Sequence, residues 1–290
     1  MSIEDWIKAK SAQLTTAGIA TARLDCLVLL EDELSKDRSW ILSHLERNLQ
    51  ITEIENLSKN ITQRAKHIPL AYIRGHTEFY GRNFLVNAHT LVPRPETETM
   101  IELLKYTLHE DPFFACATLI DIGTGSGAIA ITAKLEFPQT HVIALDIDNA
   151  CLEVAHNNAR AHDTIVECAH SDLLGLFAET EVVAVQVKRH YALPPTPCIL
   201  LCNLPYVPND FHINTAATHE PPHALFGGRD GLDIYRKLFV QISLSTEKPH
   251  YVFTESMPTQ HKALTAIAEA NDYHLGKTDD FIQIFELDTK

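Results

Sequence analysis

Leu119-Ile120-Asp121-Ile122-Gly123-Thr124-Gly125-Ser126-Gly127-Ala128-Ile129-Ala130 is the stretch whose reading decides the fold. A short β-branched run, a glycine turn and an apolar helix start follow one another, so a strand over 118–122 should pass through a tight loop into a helix over 127–136. Gly123, Gly125 and Gly127 let backbone approach a ligand without Cβ interference, and the helix start supplies free N–H donors. The spacing is G-x-G-x-G with an acid two residues ahead, not the G-x-G-x-x-G of dinucleotide binders.

Working outward, strands are expected at 141–146, 164–168, 198–202, 250–254 and 281–287, with a further segment near 181–187. Helices are expected at 149–161, 231–243 and 258–270. This alternation indicates an α/β fold with a doubly wound, mainly parallel, seven-stranded sheet. Ligands of such sheets bind beyond the carboxyl ends of the strands, so the residues there carry weight. Asp146, closing Val142-Ile143-Ala144-Leu145, is positioned to accept both hydroxyls of a ribose. Ser171-Asp172-Leu173-Leu174 offers a polar grip and apolar sides for adenine. Any one of these acids alone reads as a helix cap or a loop carboxylate; three at successive strand ends point to a nucleoside ligand.

Upstream, residues 1–75 read as a helical bundle, with helices over 3–17, 23–34, 38–46 and 52–66. Thr52 and Glu55 make a capping box for the last of these, and Pro69 ends it. Residues 76–93 contain Glu78-Phe79-Tyr80-Gly81 and Asn83-Phe84-Leu85-Val86, the pattern of a β-hairpin linker. Leu91-Val92-Pro93-Arg94-Pro95-Glu96-Thr97-Glu98 then feeds a helix and opens the main domain, 94–290. Pro194-Pro195-Thr196-Pro197 reads as a surface loop, and no internal repeat interrupts the pattern.

Composition agrees with two globular domains in 290 residues, 45% hydrophobic and 21% charged, which excludes a disordered polymer, a collagen and a coiled coil. No apolar run approaches a membrane span and Met1-Ser2-Ile3-Glu4-Asp5 lacks a basic start, so a cytoplasmic protein without membrane contact is expected. Residues 1–75 hold ten Lys/Arg and ten Asp/Glu, so the remainder carries the whole net charge of −14. Such a body repels phosphate, and no stable nucleic-acid partner is expected. Six cysteines without a C-x-x-C pair and sixteen histidines without H-E-x-x-H suggest neither disulfides nor a metal site.

From about residue 117 to 290 the pattern resembles the class I S-adenosylmethionine-dependent methyltransferases. That resemblance implies S-adenosylmethionine as cofactor and S-adenosylhomocysteine as product. It implies cofactor contacts from Asp121, Gly123, Thr124, Gly125, Ser126, Gly127, Asp146, Asp172, Leu173 and Asn203. Strand 198–202 runs into Asn203-Leu204-Pro205-Tyr206, where methyltransferases of planar nitrogens carry an asparagine/aspartate-proline-proline-aromatic motif. A planar amide nitrogen is a poor nucleophile because its lone pair is delocalised. The Asn203 side-chain oxygen and the backbone carbonyl of Leu204 can accept its two N–H groups and favour a pyramidal nitrogen, while Tyr206 stacks on the plane. Pro205 retains loop rigidity, and no prior general base is needed because the nitrogen turns acidic once methylated.

Leu204 at the usual first proline is more typical of ribosomal RNA adenine dimethyltransferases, so an N6-adenine methyltransferase of RNA or DNA is the alternative. Three further blocks resemble the protein-glutamine N5-methyltransferases of peptide chain release factors (HemK/PrmC type): Pro69–Gly75 with Glu78–Gly81, Leu91–Glu98, and Glu220–Arg236. That family implies a front bundle docking the release factor and a site for the glutamine of its Gly-Gly-Gln loop, whereas the RNA enzymes carry their helical part at the other end. By the same resemblance Arg94, Glu96 and Thr97 close over cofactor or substrate loop, and Glu220 with Gly227-Gly228 shapes the far wall. Thr254-Glu255-Ser256-Met257 lacks a family glycine, and the stretch 179–197 is longer and irregular. A silent adaptor that binds translation factors without catalysis is a third reading.

Overall fold

Thr118-Leu119-Ile120-Asp121-Ile122 and Cys198-Ile199-Leu200-Leu201-Cys202 are apolar at nearly every position, and both form strands buried from end to end. A parallel strand covered on both faces needs a continuous apolar run rather than alternation, which puts these two at a sheet centre. The structure is a computed structural model and describes residues 1–183, 186–194 and 197–288. Pro195 and Thr196 of the expected surface loop lie outside the described residues. The chain divides into two compact units, Met1–His76 with Ile213–His219, and Thr77–His212 with Glu220–Lys290.

The first unit contains α1 (Ile3–Thr16), α2 (Ala22–Leu34), α3 (Arg38–Ser43), α4 (Ile51–Arg64) and α5 (Leu70–Arg74). Their apolar faces meet around Trp6, Leu14, Leu30, Ile41, Leu57 and Ile61, all fully buried. Arg64 pairs with the buried Asp25 of α2 at 2.6 Å. The hairpin that follows is β1 (His76–Phe79) and β2 (Arg82–Leu85), turning at Tyr80 and Gly81 with positive φ at both. That is the turn whose twist suits a two-residue hairpin connection.

The second unit continues with α6 (Glu98–Glu110), β3 (Thr118–Ile122), α7 (Ala128–Glu136), β4 (His141–Asp146), α8 (Asn149–Ala161), β5 (Glu167–His170), β6 (Ala178–Val183) and β7 (Gln186–Tyr191). Then come β8 (Cys198–Cys202), α9 (Pro222–Leu225), α10 (Asp233–Ser243), β9 (Tyr251–Glu255), α11 (His261–Glu269), β10 (Tyr273–Asp279) and β11 (Ile282–Leu287). Seven strands form one sheet in the order β10-β11-β9-β8-β3-β4-β5, with β11 antiparallel to both of its neighbours and the other six strands running in one direction. The chain moves outward from β3 through β4 to β5 and then returns to β8 on the other side of β3. This reversal opens a crevice at the carboxyl ends of β3 and its neighbours. Alternate strand residues feed two apolar layers, Leu119, Val142, Ile199 and Phe253 on one face and Ile120, Ile143, Leu200 and Val252 on the other.

Several expectations are corrected. The cap of α4 is Gln50, whose N–H donates to the Glu53 carboxylate at 2.8 Å, and not the Thr52/Glu55 pair. Arg47 grips the same carboxylate at 2.8 Å, which favours the earlier start. Helix α4 closes at Arg64, and Pro69 instead precedes the short α5, which sequence reading missed. The third helix stops at Ser43, three residues early, and the strand expected at 164–168 forms at 167–170. The segment near 181–187 is not a strand of the main sheet: β6 and β7 form a separate two-stranded antiparallel sheet. Ala178-Glu179-Thr180-Glu181 places polar residues where a strand of a buried parallel sheet needs apolar ones. The seventh strand is instead β10, overlooked because six of its seven residues are exposed and its polar sequence suits a sheet edge. Among the described residues no helix is long and apolar enough to cross a membrane, and no cluster of His, Cys, Asp or Glu is arranged to hold a metal ion.

Candidate active site

A cavity of about 280 Å³ opens at the carboxyl ends of the central strands, lined by residues 123–126, Asp146, 171–173 and 203–205 together with Phe79, Leu91, Pro93 and Thr97. The β3–α7 loop takes its shape from Asp121, whose Oδ2 accepts the Thr124 hydroxyl at 2.6 Å and the Ala130 N–H at 3.1 Å. Asp121 is fully buried behind the loop, and burial pushes its pKa up to about 7. Its Oδ1 is enclosed without a partner among the described residues. Gly127, at φ 81°, leaves no room for a side chain, since a Cβ would stand 2.9 Å from Ile131 and 3.0 Å from Ala155 of α8. Gly125 is different: a Cβ there would meet nothing within 4 Å, because the loop presents bare backbone to open space.

Asp146 is 8% exposed, with Oδ2 accepting the Gly125 N–H at 2.8 Å and Oδ1 accepting the Asp148 N–H at 2.9 Å. Burial raises its pKa. It is not the helix cap, because Asp148 fills that place by accepting the Ala150 N–H at 2.8 Å. Asp172 reaches the cavity rim with its carboxylate paired to Lys237 of α10, and Leu173 supplies the buried apolar surface next to it. Asn158 of α8, missed in the sequence, donates to the carbonyls of Ser126 and Leu85 at 2.8 and 2.9 Å, fastening the glycine loop to the hairpin. An asparagine in the middle of an amphipathic helix was the available signal.

On the opposite side, Asn203 follows β8 and its Nδ2 donates to Thr97 Oγ1 at 3.0 Å. Neither Asn203 Oδ1 nor the Leu204 carbonyl takes part in a hydrogen bond among the described residues. The Leu204 side chain is buried, and a Cβ on Gly123 would lie 3.2 Å from it, so the loops after β3 and β8 pack together. Pro205 lines the cavity, and Gly227 is required behind it because a Cβ there would collide with the Pro205 carbonyl. Tyr206 is half-buried; its hydroxyl donates to Glu255 Oε1 at 3.1 Å and its carbonyl accepts Gln260 Nε2 at 2.7 Å. Burial raises the Tyr206 pKa far above the phenol range.

Of the flanking residues, Arg94 is turned to the buried Glu220 at 2.6 Å, and Glu220 also accepts the Val92 N–H at 3.2 Å. Glu96 is exposed and acts on Tyr206 and Glu255 through its charge. Glu255, Tyr235 and Gln260 received no role from the sequence. The fully buried Tyr235 hydroxyl lies 2.9 Å from the Cys202 carbonyl and 2.6 Å from that of Glu255, stapling the ends of β8 and β9. Glu255 ends a buried strand with a carboxylate, the same signal that singled out Asp146.

A doubly wound sheet carrying a glycine loop, an acid at the next strand end and an Asn-Leu-Pro-Tyr turn across the crevice defines a class I methyltransferase whose cofactor is S-adenosylmethionine. The open backbone at Gly125 and the Asp146 carboxylate at the cavity wall fit that group. Residues 5–75 match the family described as PrmC N-terminal domain, and residues 97–185 match the methyltransferase small domain. A release factor glutamine methyltransferase of Koribacter versatilis is 34% identical over 245 residues, covering 83% of this chain and 81% of that protein. One from Coxiella burnetii is 32% identical, covering 94% of this chain and 92% of its own. The hMettl16 catalytic domain, solved with MAT2A 3′UTR hairpin 6, has a TM-score of 0.50 at 11% identity over 83% of this chain and 84% of that one, a likeness of fold alone. The chain belongs to the release factor glutamine methyltransferases.

Proposed function

We propose that this enzyme transfers the methyl group of S-adenosylmethionine to the side-chain amide nitrogen of the glutamine in the Gly-Gly-Gln loop of a peptide chain release factor. The observation that carries the residue assignment is the pair of uncommitted acceptors, Asn203 Oδ1 and the Leu204 carbonyl, at a cavity whose other wall is the glycine loop. The cofactor supplies a methyl group activated by a sulfonium. Asn203 and Leu204 accept the two N–H groups of the carboxamide, drawing its lone pair out of conjugation and aiming it at that methyl. As the N–C bond forms the S–C bond breaks, and the methylated nitrogen then releases its proton. Asp146 holds the ribose hydroxyls, and Leu173 with Asp172 flanks the adenine. Arg94 and Glu96, on the segment across the cavity, border the entering loop, and the helical unit at the front docks the factor. The family match over residues 5–75 supports that last role.

The test is mass spectrometry of a purified release factor after incubation with enzyme and cofactor. A single methyl group on the Gly-Gly-Gln glutamine is expected. Methyl label entering adenine of RNA or DNA, with none in the factor, would replace this reading by the nucleic-acid one.

A further inference from the structure

We propose that Glu255 is a positioning residue for methyl transfer: as an acceptor-only carboxylate beneath the Asn-Leu-Pro-Tyr turn, it holds the Tyr206 hydroxyl and obliges the Asn203 amide to turn its NH2 inward and its oxygen to the substrate. This inference rests on the function proposed above. An asparagine amide is nearly symmetric in shape, so something outside it must decide which end faces the substrate. Thr97 Oγ1 alone does not decide, because a hydroxyl both donates and accepts. An ionised carboxylate only accepts, and Glu255 is buried where the side chains of Tyr206, Thr97 and Asn203 converge. Its Oε1 takes the Tyr206 hydroxyl at 3.1 Å; its Oε2 is enclosed without an aligned partner, while Thr97 and Asn203 stand near enough to favour the charged form. Tyr235 clamps the main chain of the same residue through its N–H, at 3.2 Å, and its carbonyl, at 2.6 Å. Glu255 is absent from the cavity wall, so it acts through Asn203 and Tyr206 and not on the cofactor.

The same burial has a consequence for pH. Desolvation, helped by the Glu96 charge, pushes the Glu255 pKa up to about 7. The titratable and charged groups around it are Tyr206 on the turn, Glu96 on the segment before α6 and Tyr235 on α10, with Arg94 acting on Tyr206. Once protonated, Glu255 becomes a donor and no longer specifies the amide orientation.

The experiment measures single-turnover methylation of a release factor at saturating cofactor, across about pH 5.5 to 8.5, for wild type, Glu255→Gln and Glu255→Asp, with cofactor affinity by calorimetry. Wild type should show a one-proton acid limb near neutrality. Glu255→Gln should lose at least tenfold in rate and also lose that limb, while binding cofactor within about threefold of wild type; Glu255→Asp should recover part of the rate and keep the limb. Absence of methylation by wild type would fail the proposed function itself. With wild type active, an unchanged rate or a retained limb in Glu255→Gln would overturn the role of Glu255. If Glu255→Gln does not fold, a wild-type rate independent of pH over this range overturns it equally.

Discussion

On the β3–β4 side of the cavity, Asp121, the glycine loop and Asp146 lie within twenty-six consecutive residues, and every hydrogen bond that shapes the loop is made inside that stretch or to the adjoining α8. On the β8–β9 side, the working group draws Thr97, Asn203 with Tyr206, Tyr235, Glu255 and Gln260 from five separate stretches of chain, and Asn203 bonds Thr97 across 106 positions. The first side is a local device repeated wherever a parallel strand meets a helix. The second exists only because the sheet order sets β8 between β3 and β9. A change on the first side should therefore appear as altered cofactor affinity, and one on the second as altered turnover.

The largest effect should come from Asn203→Ala, which removes one of the two acceptors proposed for the reacting amide. Turnover should fall by about 100- to 1,000-fold, the scale of losing one preorganised hydrogen bond to a transition state. Calorimetry should find cofactor affinity within a few fold of wild type; equal loss of both would erase the division between the two sides. Asp146→Ala comes next, with cofactor binding weakened roughly 10- to 100-fold, as for loss of a charged hydrogen-bonding partner. Unchanged affinity would remove the ribose from Asp146.

The buried carboxyls of both sides make a shared prediction. Asp121 and Glu255 each reach about 7 in the folded chain, above their ordinary values of 3.8 and 4.5. Between about pH 4 and 7 the folded chain therefore binds more protons than the unfolded one, so its stability is greatest at the acid end of that window and declines as pH rises toward 7. Asp230 runs the other way: its pairing with Arg236 holds it at about 2, so the stability it contributes is lost only as pH falls below about 4. Thermal melts of the cofactor-free protein should show a midpoint falling from about pH 5 to pH 7, with a shallower slope in Asp121→Asn. A midpoint that rises through this range would contradict the burial cost assigned to these groups. The smallest effect is expected from Leu204→Pro, which keeps the carbonyl and removes a long N–H contact to Tyr235 at 3.4 Å with part of a buried side chain. Turnover should stay within about fivefold, matching a hydrogen bond of roughly 1 kcal/mol or less; strong inactivation would show that the turn depends on that donor.

Legibility in the sequence follows the same division. Strands such as Thr118–Ile122, His141–Asp146 and Cys198–Cys202 were readable to the residue because burial on both faces demands an unbroken apolar run. The edge strand Tyr273–Asp279 was not, since an exposed edge tolerates Lys, Thr and Asp and leaves no periodic signal. For the same reason the pair Ala178–Val183 and Gln186–Tyr191 passed for one sheet strand. Arg94 and Glu220 were legible as a conjunction of charged motifs, but their partnership emerges only from a salt bridge spanning 126 positions.

By itself the sequence determined the class of the enzyme, its donor molecule and the strand ends that carry the acids and the glycine loop, because hydrophobic period, glycine turns and strand-terminal acids act within a few residues of one another. Only the tertiary structure decided that Asn203 meets Thr97, that Tyr206 leans on Glu255 and that Tyr235 pins β8 to β9. A side chain's partner across the crevice is set by which strands become neighbours, and that follows from packing the whole sheet, not from any local run of residues.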